Sequence, residues 1–127
     1  MQMNHLKILA VDSEYLIGMD IERILGDALG CTVTVLTPKL FSELEPKRQY
    51  DIAIIEGDET FPEFSSMVAR AKSAATHLVF STADAKFLPG VPGHEDIPVV
   101  MKPFESRCLV NIVTAVSTLR GDLQPSN

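Results

Sequence analysis

Only two cysteines occur, Cys31 and Cys108, with no C-x-x-C pair and no Cys/His spacing. Neither a disulfide framework nor a zinc or thiol-redox centre is expected, and both thiols read as buried and reduced. Runs of lysine or arginine are missing as well: 11 basic residues stand against 17 acidic ones, for a net charge of −6. That leaves no phosphate-neutralising surface and argues against nucleic acid as a partner. No stretch reaches the roughly 18 uninterrupted apolar residues of a membrane span. Met1 to Lys7 lacks the basic, apolar and small-residue regions of a secretory leader, so the expected compartment is the cytoplasm, without membrane contact. No G-x-G-x-x-G or Walker-type loop follows the first apolar run, which disfavours nucleotide and flavin binding. Internal repeats and low-complexity tracts are absent too.

What is present is an ordinary globular composition, 46% hydrophobic and 22% charged over 127 residues, enough for one core. The expectation is a single domain over residues 1–120 and a polar tail over 121–127. Apolar runs of strand length alternate with longer stripes of helical period, the pattern of a parallel sheet with helices on both faces. Leu6 to Val11, Ile52 to Ile55, Leu78 to Phe80 and Val99 to Met101 read as strands buried on both sides. Cys31 to Leu36 alternates threonine with valine and reads as an edge strand. Ile17, Ile21, Ile24, Leu25 and Ala28 share a helix face that Gly30 can terminate. Thr37-Pro38 is an N-cap followed by proline at the first helical position, opening a short helix through Leu44 that ends before Pro46. Phe61, Phe64, Val68, Ala71 and Ala75 form a third stripe, and Leu109, Ile112, Val113 and Val116 a last one. The fourth connection, 84–96, holds Pro89, Gly90, Pro92 and Gly93, so its helix is expected to be short or broken and the segment the most mobile. Met19, Met67 and Met101 read as core filler, and His5, His77 and His94 as surface or strand-end residues without metal-ligand spacing.

In a doubly wound sheet, functional groups collect at the carboxyl ends of the strands. Here those ends carry Asp12-Ser13-Glu14, Glu56-Gly57-Asp58-Glu59, Ser81-Thr82-Ala83-Asp84 and Lys102-Pro103-Phe104. Acids therefore cluster against one lysine and a hydroxyl, and a lysine that follows an apolar strand must find a counter-charge.

The segments ILAVDSEYLIGMDIERIL, LVFSTA and VVMKPF, in that order and spacing, resemble the receiver domain of two-component response regulators, in particular the stand-alone receivers. The resemblance implies a flavodoxin-like, doubly wound five-stranded parallel α/β sheet in the order 2-1-3-4-5. It also implies a phosphoryl-accepting aspartate ending the third strand, Mg²⁺ held by acids after the first strand, a hydroxyl that reads the phosphoryl group, and a lysine followed by a cis proline. The last three fall on Asp12, Thr82 and Lys102-Pro103. Two positions depart from the pattern: Glu56 stands at the acceptor position, and Ser13 replaces the second acid of the metal pair. One extra methylene displaces the attacking oxygen from in-line geometry, and a hydroxyl binds Mg²⁺ less well than a carboxylate. No cofactor is then required, although Asp12, Glu56 and the carbonyl of Asp58 could hold Mg²⁺ weakly. Val99 occupies the place of the aromatic that senses threonine movement, so that form of switching is not expected.

The implied function is an atypical single-domain receiver, not an enzyme, acting through protein contacts with a histidine kinase or another signalling protein. A homodimer through the fourth and fifth elements is the other expected assembly, with Phe87, Leu88, Val91 and Phe104 as its apolar candidates. Glu56 could reach Lys102 and preset the pocket without phosphate, or merely neutralise that lysine. Asp58 is an alternative acceptor, expected to face solvent. Two further readings stand beside this one. A conventional Mg²⁺-dependent receiver would accept phosphate at Glu56 or Asp58. A haloacid-dehalogenase-like phosphatase would use Asp12 as nucleophile, Glu14 as acid/base, Ser81 or Thr82 on phosphate and Lys102 for charge.

Overall fold

The central apolar runs need cover on both sides, and the computed structural model supplies it with helices and one irregular segment. The structure describes residues 6–120 apart from 46, 59 and 61, and the side chains of 119 and 120 are not described. His5, Pro46, Glu59, Phe61 and the 121–127 tail therefore lie outside the described residues. Five strands, β1 (Lys7–Val11), β2 (Thr32–Leu36), β3 (Tyr50–Glu56), β4 (Ala75–Thr82) and β5 (Val99–Met101), form one all-parallel sheet in the order β2-β1-β3-β4-β5. The helices are α1 (Tyr15–Leu29), α2 (Pro38–Glu43), α3 (Phe64–Ala74) and α4 (Ser106–Arg120). The expected flavodoxin-like topology is the one observed.

Alternation along the strands divides the core in two. Ile8, Ala10, Ile52, Ile54, Val79 and Val100 pack under α1 and α4 with Ile21, Ile24, Leu25, Leu109, Val113 and Val116. Leu9, Val11, Ala53, Ile55 and Phe80 face Phe41 of α2 and Phe64, Val68 and Ala71 of α3. The chain leaves α1 through Gly30 at φ 69°, whose N–H donates to the Gly26 carbonyl, a left-handed cap that a side chain would strain. α2 begins as its sequence implies, with the Thr37 hydroxyl accepting from the Leu40 amide and Pro38 at the first position.

Several expectations need correction. β5 lies at the second edge of the sheet, so Val99 and Met101 are only half-buried while Val100 is buried. Ala75 opens β4 instead of extending α3. On α1, Ala28 is exposed and Leu29 packs on the core in its place. Met19 is exposed, and Met67 and Met101 are half-buried. Cys31 is buried, its thiol pushed by burial up to about 11, but Cys108 is exposed on the first turn of α4.

The helix expected in the fourth connection is reduced to a single 3-10 turn, Ala85–Phe87, followed by tight turns. This connection packs down onto the sheet: Phe87, Val91 and Ile97 are buried. His94 sits edge-on to Phe64 and Phe80, with ring centroids 5.6 and 6.0 Å away, and is half-buried. Most of the apolar candidates for a dimer contact are thereby drawn into the core. Phe87 and Val91 are core, Phe104 is half-buried against the α1/α4 cluster, and Leu88 alone of the four is exposed.

Candidate functional site

Side-chain alternation carried one residue past β1 and β5, and to the last residue of β3, puts Asp12, Glu56 and Lys102 on the α1/α4 side of the sheet. They meet there. The Lys102 ammonium donates to Asp12 Oδ2 and to Glu56 Oε2, both at 3.0 Å. The remaining carboxylate oxygens are also occupied: Asp12 Oδ1 accepts the Glu14 N–H at 2.9 Å, and Glu56 Oε1 accepts the Ser13 N–H at 2.8 Å. The turn between β1 and α1 thus clamps both acids with consecutive backbone amides. The Lys102-Pro103 peptide is cis.

The two carboxylates differ in environment. Asp12 is 1% exposed, and burial pushes its carboxyl above the ordinary range despite the Glu14 amide and the ammonium. Glu56 is 30% exposed; burial pushes it up too, but the Ser13 amide, the Lys102 ammonium and the Ser13 hydroxyl together hold it below the ordinary range. Burial opposes the charge of Lys102, and the bonds to Asp12 and Glu56 outweigh it and keep the ammonium above its usual value.

The other residues singled out from the sequence lie around this triplet. An open cavity of about 570 Å³ is lined by Glu56, Asp58, Ser81, Thr82, Lys86 and Lys102, among others. The Thr82 hydroxyl accepts the Asp84 N–H at 3.0 Å and so shapes the turn after β4. Asp58 is exposed and takes the Thr60 hydroxyl and amide at 2.6 and 3.0 Å, bonds that hold its carboxyl below the ordinary range. Asp84 caps the 3-10 turn and faces Lys86 at 3.6 Å. Ser81, the register partner of Glu56, is 1% exposed, and among the described residues its Oγ is the buried side-chain polar atom without a hydrogen-bond partner. Gly57 is fixed by packing: a Cβ there would lie 2.9 Å from the Phe80 Cβ and 3.1 Å from a Val91 methyl. The clamp by the Ser13 amide was not legible in the sequence, because a backbone donor leaves no mark on residue type.

No family model matches the chain, and no curated protein does so. Solved structures do. A response regulator receiver protein from Sinorhizobium medicae superposes with a TM-score of 0.71 at 23% identity, over 91% of this chain and 96% of that one. The receiver domain of a Francisella response regulator gives 0.64 at 18% identity, over 91% and 99%. The signal receiver domain of an HD-domain-containing protein from Pseudomonas fluorescens gives 0.67 at 17%, over 96% and 93%. This is the receiver fold.

Within a receiver fold the site invites a test for Mg²⁺, which binds through several oxygen ligands. Each of the four carboxylate oxygens already accepts one hydrogen bond, and the Lys102 ammonium bridges the two acids at 3.0 Å from each. Ser13 offers no third carboxylate, and among the described residues no group of three His, Cys, Asp or Glu side chains is disposed to hold a metal. The residues as arranged do not fit a resident divalent cation. No described helix is long and apolar enough to cross a membrane.

Proposed function

We propose that this chain is an atypical single-domain receiver that works in cytoplasmic two-component signalling through protein contacts, without aspartyl phosphorylation and without turnover. The observation that carries this reading is the ion triplet. Lys102 already bridges Asp12 and Glu56, so the contact that a phosphoryl group would otherwise recruit is made by the longer glutamate side chain. A preset pocket needs neither Mg²⁺ nor phosphate to hold the ends of β1, β3 and β5 together. Its partner is a histidine kinase or another signalling protein. The phosphatase reading fares worse on accessibility, since a nucleophile 1% exposed with both oxygens bonded has no approach for a phosphate ester.

The test is an amide-shift titration of ¹⁵N-labelled protein with Mg²⁺ and then beryllofluoride. The expected result is no saturable response at Asp12, Glu56, Thr82 or Lys102. Saturable shifts centred on Glu56 and spreading into β4 and β5 would restore a phosphoryl switch, and shifts centred on Asp12 would restore the phosphatase.

A further inference from the structure

A second cavity lies between α2 and α3. It measures about 670 Å³, the size of a small-molecule site, and shares no lining residue with the cavity beside Lys102. Its walls are Pro38, Phe41 and Met67, with Phe41 buried and Met67 half-buried. A smaller hollow of about 150 Å³ shares Ser13, Pro38 and Met67 with it and reaches Glu56 and Asp58.

The lining of this cleft carries a net positive charge. In a chain of net charge −6 its lining holds two cations, Lys39 and Arg70, against one acid, Glu63. Neither cation belongs to an ion pair among the described residues, where the paired bases are Arg23, Lys47, Lys86 and Lys102. Arg70 is half-buried, and one of its terminal nitrogens donates to the Leu44 carbonyl, which anchors the guanidinium at the cleft and leaves its other donors uncommitted among the described residues. An anchored guanidinium beside an apolar wall is suited to a carboxylate, which it can take with two parallel bonds.

We propose that the α2–α3 cleft binds a small organic anion with an apolar body, an aryl- or alkyl-carboxylate. Its hydrocarbon part packs on Pro38, Phe41 and Met67, and Arg70 and Lys39 hold its carboxylate. The inference rests on this cleft alone and is independent of the signalling reading.

The experiment titrates ¹⁵N-labelled protein with 4-phenylbutyrate and, separately, with its uncharged counterpart 4-phenylbutanamide. The carboxylate should shift the amides of residues 37–42 and 64–70 saturably, with the neutral amide at least tenfold weaker. Lys39→Glu should weaken the carboxylate at least tenfold, and Ser66→Trp should abolish its binding by filling the cleft. Lys39 and Ser66 are both exposed, so neither change disturbs the core. The proposal is overturned if no saturable shifts occur at these residues, if acid and amide bind equally, or if Lys39→Glu leaves the affinity unchanged.

Discussion

The two faces of the sheet are covered by different means. On one, two 15-residue helices, α1 and α4, lay regular apolar stripes over the strands. On the other, α2 has 6 residues, α3 has 11, and the rest of the cover is an irregular segment that plugs Phe87, Val91 and Ile97 into place. The ion triplet lies on the regular side, so its charges are held by strand ends backed by long helices. The irregular side, where a fourth helix would stand, keeps buried side chains without the backbone repeat that normally presents them. Close packing depends on side-chain fit more than on the regularity of the backbone that supplies it.

The strongest way to break the regular side is to remove its cation. Lys102→Met leaves Asp12 and Glu56 together without a counter-charge, and urea unfolding at neutral pH should show a loss of about 3–5 kcal/mol. A loss below about 1 kcal/mol would mean that solvent compensates the pair. The comparison itself is sharpened by Val91→Ala against Val113→Ala, both 0% exposed, one in the irregular segment and one in α4. If the plug is packed as tightly as the helix, each costs about 2–3 kcal/mol; a much smaller cost for Val91→Ala would mark that side as adaptable. Gly57→Ala drives a methyl into Phe80 and Val91 and should cost about 1–3 kcal/mol in the same assay.

Acid titration separates the two carboxylates. The raised Asp12 carboxyl makes its ionised form a cost to the fold, relieved as pH falls through that raised value. Glu56, held low, contributes stability that is present above its ordinary range and lost only as pH falls through its depressed value. Carboxyl ¹³C shifts should therefore show Asp12 protonating first, with the loss of stability following Glu56. The reverse order would contradict the burial difference between them. The smallest effect belongs to Gly26, within α1, where a Cβ meets nothing within 4 Å. Gly26→Ala should stabilise by about 0.5–1 kcal/mol, read as a rise in melting temperature.

The same division explains what the sequence disclosed. The strand order, the Gly30 cap, the Thr37-Pro38 start and the α4 stripe follow from periodicity and capping, rules that act within a few residues. Asp12, Glu56 and Lys102 could be brought together because each ends or follows an apolar strand. The burial of Phe87 and Val91 was not legible, since proline and glycine in 84–96 announce turns without saying which side chains those turns aim inward. His94 is hidden for the same reason: its contacts with Phe64 and Phe80 span 30 and 14 residues of chain. The α2–α3 cleft arises where two elements fail to close, a gap that the types of its lining residues do not announce.

The inequality of the two thiols has a practical consequence. Cys31 is buried and reluctant to ionise, whereas Cys108 stands in the open at the start of α4. A maleimide fluorophore added to the folded wild-type chain should attach once, at that turn. The molecule thus comes with a single ready-made reporter on its helical face, from which distances to a second dye placed on α2 could be followed without engineering away any native cysteine.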